Sequence, residues 1–199
     1  MTRILHGTPL SGHTHRARLF LHLLDLTYDF ADSPADVRKS PAFRALNPLG
    51  QIPVLQDGDV VLADSNAILV YLAKRYAPGS AWLPEDPVGA ARVQRWLSQA
   101  AGEIMFGPAA ARVSARFYDT GVPAPLSQAL AARVLGLMEG ELATREWLAG
   151  TAPTIADVAC YSYIAHAPEG GIALDPYPRV CAWIARVEAL PGFVAMPGE

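Results

Sequence analysis

The stretch that decides the fold is residues 47–67, NPLGQIPVLQDGDVVLADSNA. It predicts a strand that begins after Pro53, a tight turn at Asp57-Gly58, a second strand and the start of a helix. Asp64 and Ser65 precede the apolar run at 67–72, and both residue types favour a helix N-cap. Such a helix start offers free backbone N–H groups and the positive end of the helix dipole, and the backbone beside Pro53 stays unpaired. The stretch therefore predicts a docking site for a small peptide-like anion.

The residues around this stretch predict an α/β domain. Short strands are expected at residues 4–7 and 28–30, and a helix with two apolar stripes is expected at 15–26. A short helix begins at Ser40-Pro41, and another helix follows the hairpin from about 65 to 76. The order strand-helix-strand-helix-strand-strand-helix is the plan of a thioredoxin-like domain, in which a mixed sheet carries helices on both faces.

The remainder of the chain is helical in its periodicity. Proline and glycine interrupt the pattern at 77–86, so we expect a thioredoxin-like domain at 1–76, a linker at 77–86 and an all-helical domain at 87–199. Its helices are expected at 88–106, 109–118, 126–147, from Thr154 to about 167, and 178–190. Thr154 and Asp157 have the spacing of a capping box at the start of the fourth of these helices.

Composition narrows the class of protein. The chain has 199 residues, of which 51% are hydrophobic, and a net charge of −3, which excludes a disordered chain and argues against nucleic acid as a partner. Cys160 and Cys181 stand in apolar stretches, where we expect them to pack as small apolar side chains. Two cysteines form no disulfide framework, and we find no signal peptide and no bilayer-spanning stretch, so we expect a cytoplasmic protein with no membrane partner.

Four motifs resemble a known family. NPLGQIPVL and ADSNAILVYLA are similar to the glutathione-binding half of cytosolic glutathione transferases. PTIADVACYSYIAH and YPRVCAWIARVEALPGF resemble helices of the bacterial members. The resemblance implies a detoxification enzyme, active as a homodimer, that activates the glutathione thiol for attack on a small hydrophobic electrophile.

The same resemblance implies the glutathione-binding residues. The peptide bond before Pro53 is expected to be cis, which turns the backbone of Ile52 toward the glutathione cysteine. Asp64 and Ser65 are expected to bind the amine and the carboxylate of the γ-glutamyl group. The positions of Gln51 and Lys39 are similar to those that meet the glycyl carboxylate in relatives, with Gln51 the better supported of the two.

Ser11 is the expected catalytic and glutathione-contacting hydroxyl. It lies between the first strand and the first helix, where a thioredoxin-like domain places its reactive group, although it could serve only as a loop or cap serine. A hydroxyl that donates to sulfur favours the thiolate, which is only about 3% of a free thiol at neutral pH. Thr14 is the rival hydroxyl, and we expect it to cap the first helix. Related bacterial sequences often read SGN followed by Cys here, whereas this chain has His13 and Thr14 in place of the Asn and the Cys, so its first domain has no thiol.

Other functions and a metal site also have to be weighed against this sequence. A glutathione-dependent peroxide or disulfide reductase would also use Ser11 or Thr14 to activate glutathione, without a protein thiol. A transferase-like binding module without activity is a third possibility. His13 and His15 form an H-x-H pair, but no cysteine lies near them in sequence, so we expect no metal and histidines that are exposed or at the rim of a pocket.

Overall fold

The computed structural model describes residues 2–197 and divides the chain into two compact units. The first unit takes the chain up to Pro78 together with the segment from Leu190 onward, and the second runs from Gly79 to Ala189. Among the described residues, no helix combines the length and the apolar character that crossing a bilayer requires.

The first unit contains a mixed four-stranded sheet. Its strands are β1 (Arg3–Gly7), β2 (Asp29–Asp32), β3 (Val54–Asp57) and β4 (Val60–Ala63), in the order β2-β1-β3-β4. β1 runs parallel to β2 and antiparallel to β3, and β3 pairs antiparallel with β4 through the turn after Asp57. This confirms the thioredoxin-like arrangement and the hairpin that the sequence predicts.

Four helices accompany this sheet: α1 (Gly12–Leu23), α2 (Ala35–Lys39), α3 (Pro41–Leu46) and α4 (Ser65–Tyr76). α3 starts as predicted, because the Ser40 hydroxyl accepts from the backbone N–H of Phe43 at 3.2 Å and a proline takes the first helical position. α2 was not expected. It has five residues and no buried side chain, so no apolar periodicity marks it in the sequence.

The expected cap of α1 is wrong. The helix begins at Gly12 rather than at His15, and Ser11 is its N-cap, with the Ser11 Oγ accepting from the backbone N–H of Thr14 at 3.3 Å. Thr14 lies inside the first turn, where its side chain is 1% exposed. A Cβ placed on Gly7 of β1 would come within 2.5 Å of the Thr14 Oγ1, so Thr14 packs against the strand instead of capping the helix.

The second unit is helical, which confirms the predicted class. It contains α5 (Pro87–Ala101), α6 (Ala110–Arg116), α7 (Ala124–Glu141), α8 (Ile155–Ala165) and α9 (Pro178–Glu188), with a π-helical turn at Met105–Ala109 and a 3₁₀ turn at Ala167–Gly170. The capping box is present, since Thr154 Oγ1 accepts from the N–H of Ala156 and Asp157 accepts from the N–H of Thr154. Three tryptophans are buried in this unit: Trp96, Trp147 and Trp183.

Two expectations for the C-terminal part differ from the structure. Cys160 is buried as expected, but Cys181 on α9 is exposed. The segment from Leu190 groups with the first unit rather than with the helical one. Its backbone explains the grouping: the carbonyl of Val194 accepts from His15 Nε2 at 2.8 Å, and a Cβ on Gly192 would lie 2.7 Å from the carbonyl oxygen of His22.

Candidate functional site

The strand register gathers the predicted site segments at one end of the first unit's sheet. Val54, the first residue of β3, pairs with His6 near the end of β1 and with Ala63 at the end of β4. The loop after β1, the proline before β3 and the Asp64-Ser65 pair after β4 therefore emerge side by side. Three segments that are far apart in sequence meet because β3 is the shared neighbour of the other two strands.

The proline loop has the expected geometry. The Ile52-Pro53 peptide bond is cis, and Pro53 is buried directly before β3. Asn47 organises the loop, since its amide nitrogen donates to the carbonyl of Gln51 at 2.8 Å and its side-chain oxygen accepts from the N–H of Leu49 at 3.2 Å. The backbone that would face a peptide ligand is thus fixed by a buried side chain from within the same loop.

Asp64 and Ser65 begin α4 as the sequence predicts. One carboxylate oxygen of Asp64 accepts from the N–H groups of Asn66 and Ala67, both at 2.9 Å, and the side chain is exposed. The φ angle of Asp64 is 74°, a left-handed conformation that costs a non-glycine residue about 1–3 kcal/mol. Ser65 is 3% exposed. A strained cap beside a buried serine is typical of a functional segment, because capping alone does not need the strain.

Ser11 stands at the other helix start of this site. Its side chain is half-buried, and its oxygen accepts the N–H of Thr14 at 3.3 Å. That bond uses a lone pair and leaves the hydroxyl hydrogen available for a ligand atom. The hydroxyl of Thr14 is directed at the sheet and is buried without a hydrogen-bond partner among the described residues. Of the two rival hydroxyls, Ser11 is therefore the one that can donate to a ligand.

His13 and Arg16 join the two helix starts. His13 Nδ1 lies 3.3 Å from Ser65 Oγ, and Arg16 Nη1 lies 3.2 Å from the same ring nitrogen and 3.4 Å from Ser65 Oγ. Burial, and next the charge of Arg16, lower the pKa of His13 from 6.5 to about 3. The positive N-terminal ends of α1 and α4 thus lie on either side of the neutral His13 ring. The guanidinium of Arg16, which is 1% exposed, contacts the same ring.

The remaining candidates lie at the periphery. Gln51 and Lys39 are both exposed, and Lys39 is the last residue of α2. A Cβ on Gly50 would lie 3.1 Å from the carbonyl oxygen of Arg38, so the end of α2 packs against the loop that carries Gln51. A lysine and a glutamine on segments in contact can both reach one carboxylate.

The sequence analysis missed Arg16 and misplaced His15. His15 is 1% exposed, so it is neither an exposed nor a pocket-rim histidine as expected, whereas His13 is half-buried. A signal for Arg16 was present: it lies three and four residues before Leu19 and Phe20, which share the buried face of α1. Within residues 2–197, no three His, Cys, Asp or Glu side chains form a group that could hold a metal ion.

Known proteins match both units. Residues 10–75 match the family model of the glutathione S-transferase N-terminal domain, and residues 127–191 match that of the C-terminal domain. Glutathione S-transferase 3 of Zea mays is 32% identical over 95% of this chain and 90% of its own length.

Solved structures agree with these matches. A glutathione S-transferase from Pseudomonas fluorescens superposes with a TM-score of 0.90 at 32% identity, over 98% of this chain and 99% of its own. A glutathione transferase homologue from Drosophila mojavensis, solved with bound glutathione, has a TM-score of 0.83 at 28% identity, over 96% of this chain and 89% of its own. The chain belongs to the glutathione S-transferase family.

Proposed function

We propose that glutathione binds where the three segments meet and that Ser11 activates its thiol. Asp64 would hold the γ-glutamyl amine, and Ser65 would hold its carboxylate at the positive end of α4. The backbone of Ile52 before Pro53 would pair with the cysteine. Gln51 and Lys39 are exposed on the touching segments described above and would meet the glycyl carboxylate. The register of Val54 with both neighbouring strands carries the proposal, because it brings these segments to one end of the sheet.

The proposed chemistry is thiolate addition to an electrophile. The Ser11 hydroxyl donates to the sulfur, and the positive end of α1 favours the same negative charge, so the thiol loses its proton more readily than in water. The thiolate then forms a carbon–sulfur bond with a small hydrophobic electrophile, and a leaving group, where present, departs with its electron pair. The first unit contains no cysteine in its sequence, so the proposed activation uses the Ser11 hydroxyl rather than a thiol of that unit.

We propose further that the protein works as a cytoplasmic homodimer in detoxification. The family resemblance supports the dimer. Val60 and Val61 also support it, because they lie on the edge strand β4 and are 38% and 41% exposed. A second copy could cover such apolar edge surface. Sedimentation equilibrium would give twice the chain mass, and a monomer at all concentrations would contradict this part of the proposal.

A panel of substrates tests the reaction class. Purified protein is assayed with glutathione and, separately, an aryl halide, an isothiocyanate, an organic peroxide and hydroxyethyl disulfide. The proposal predicts conjugation with one or more of the first two compounds, and Ser11→Ala should reduce it. Turnover confined to the peroxide or the disulfide would identify a reductase instead. Glutathione binding without turnover of any compound would indicate a binding module.

A further inference from the structure

The second unit contains a groove of about 330 Å³ between the turn that follows α7 and one face of α9. Among the described residues, the side chains that line it include three arginines and one carboxylate: Arg145, Arg179, Arg186 and Glu146. Positions 179, 182 and 186 share one face of α9, because they are three and four residues apart in a helix. Ala182 separates the two arginines of that face, and its short side chain leaves space between them. We call this space the arginine groove, and its volume is within the range of small-molecule sites.

Arg186 is held in one orientation but is not neutralised. Its Nε and Nη2 donate to the backbone carbonyl of Glu146 at 3.2 and 2.9 Å, and its side chain is half-buried. A carbonyl fixes the plane of the guanidinium without supplying a full negative charge. Across residues 2–197, no carboxylate forms an ion pair with Arg186. Its Nη1 has two N–H groups that can donate to an anion, and the side chain is already ordered before a ligand binds.

The other two arginines of the groove share their carboxylates with further donors. Arg145 Nη1 lies 3.6 Å from Glu141, whose carboxylate is also bound by Arg95 at 2.6 Å. Arg179 Nη1 donates to Glu139 at 3.1 Å, and the same carboxylate accepts backbone N–H groups at the start of α9. Each of these carboxylates is thus divided among several positive groups, although the whole chain carries a net charge of −3. The groove therefore favours a ligand that brings negative charge of its own.

We propose that the arginine groove binds the phosphate group of a small organic anion, with Arg186 as the main contact and Arg145 and Arg179 beside it. A phosphate monoester carries about two negative charges near neutral pH and has three strong acceptor oxygens, so it can accept from several guanidinium groups at once. Ala143 and Ala182 supply apolar surface for the organic part. The inference goes beyond the proposed glutathione chemistry, because the groove lies in the second unit and the docking segments lie in the first.

A titration with phenyl phosphate, followed by phosphorus-31 NMR at fixed ionic strength, tests the site. Wild type should show saturable binding. Arg186→Gln should weaken it by about tenfold or more, and Arg145→Gln by about threefold to tenfold, because each removes one charged donor. Arg92→Gln is the matched control, since it removes the same charge from an exposed position on α5 that does not line the groove. It should bind phenyl phosphate like wild type.

Two further measurements have results that a general attraction of anions to the protein surface would not give. Glu146→Gln removes the carboxylate of the lining and should tighten the binding of phenyl phosphate by about twofold to fivefold. Benzoate, an aromatic anion with one charge, should compete at least about fivefold more weakly than phenyl phosphate itself. Saturating glutathione should leave the affinity for phenyl phosphate unchanged.

Wild type that shows no saturable binding up to about 10 mM phenyl phosphate would overturn the inference. Equal losses in Arg186→Gln and Arg92→Gln, benzoate that competes as well as phenyl phosphate, or displacement by glutathione would overturn it too. If Arg186→Gln does not fold, the comparison of Arg145→Gln with Arg92→Gln decides in the same way. A protein that binds phenyl phosphate in the groove but does not bind glutathione would contradict the proposed function and leave this inference supported.

Discussion

The single hydroxyl of Ser11 can serve two partners at once. Its oxygen accepts the Thr14 N–H at 3.3 Å, which caps α1, while its hydrogen stays free to donate to a ligand sulfur. Capping and activation are therefore compatible at this residue. The cap also fixes the side chain at the helix start, so the donor is oriented before glutathione binds.

Replacing the two hydroxyls should affect stability in opposite directions. Ser11→Ala removes a cap and should lower the free energy of unfolding by about 1 kcal/mol. Thr14→Val keeps the shape of a side chain whose buried hydroxyl has no partner among the described residues, so it should raise that energy by about 1 kcal/mol. Urea unfolding of both variants measures the difference. A destabilised Thr14→Val would show that this hydroxyl is bonded after all.

His13 should make the protein sensitive to mild acid. Burial and the Arg16 charge lower its pKa in the folded state to about 3 from 6.5, so below about pH 6.5 the unfolded chain takes up a proton that the folded chain does not. Above about pH 6.5 His13 is neutral in both states and does not lower the free energy of unfolding. Below that pH, its preference for the unfolded state lowers the free energy of unfolding progressively until the pH reaches about 3. Between about pH 6 and pH 5, the free energy of unfolding of wild type should fall by about 1 kcal/mol more than that of His13→Asn. Parallel stability curves for the two proteins would contradict the assignment.

At the scale of elements, a buried carboxylate holds the start of α8 in the second unit. Asp157 is 1% exposed, and its carboxylate accepts from the N–H groups of Leu148 and Thr154 at 3.0 and 2.9 Å, from Thr154 Oγ1 at 3.2 Å and from Trp183 Nε1 at 2.8 Å. Burial raises the pKa of Asp157, while these donors oppose that shift. The residue thus joins the loop before α8, the cap itself and α9.

The two members of the capping box should therefore differ in importance. Thr154→Ala removes one cap acceptor and should cost about 1 kcal/mol of unfolding free energy. Asp157→Ala leaves several buried donors without an acceptor and should cost about 3 kcal/mol or more. Thr144→Ala, at an exposed threonine on the same unit, is the control and should change little. Urea denaturation that ranks Thr154→Ala equal to Asp157→Ala would show that Asp157 acts only as a cap partner.

Helices and strands with strong patterns were predictable from the sequence. The hairpin, α3, α4 and α8 each carry a turn dipeptide, a capping residue or an N-terminal proline, and each begins where that residue predicts. α1 was placed too late because its apolar stripes begin after its cap. α2 has no buried side chain to mark it, and the π-helical turn at Met105–Ala109 depends on the backbone of Gly107, which departs from helical angles.

The parts of the candidate site that depend on local sequence were predictable, and those that depend on tertiary contacts were not. Ser11, Pro53, Asp64 and Ser65 each have a local sequence signal, because caps and prolines act on neighbouring residues. The link from Arg16 through His13 to Ser65 spans 49 positions and exists only once α1 packs near α4. Tertiary burial of a charge leaves little trace in local composition, which is why the contact of Arg16 with His13 and Ser65 was not predicted.

At the scale of the whole molecule, glutathione should stabilise the folded chain. The proposed ligand groups come from four separate segments, so the unfolded chain offers no comparable site. At about 100 times the dissociation constant, binding adds about 2.7 kcal/mol to the unfolding free energy. Thermal melting with and without glutathione measures the gain, and Asp64→Ala should reduce it at the same ligand concentration. A melting temperature that saturating glutathione does not move would contradict the docking proposal.

The most direct test of the account is the thiol pKa of bound glutathione. The ultraviolet absorbance of the thiolate is titrated against pH for glutathione bound to wild type, Ser11→Ala and Thr14→Val. The account predicts a pKa about two units below the 8.5 of a free thiol in wild type and in Thr14→Val, and a value at least about one unit higher in Ser11→Ala. An unchanged pKa in Ser11→Ala, or a raised one in Thr14→Val alone, would contradict the assignment of Ser11 as the activating hydroxyl.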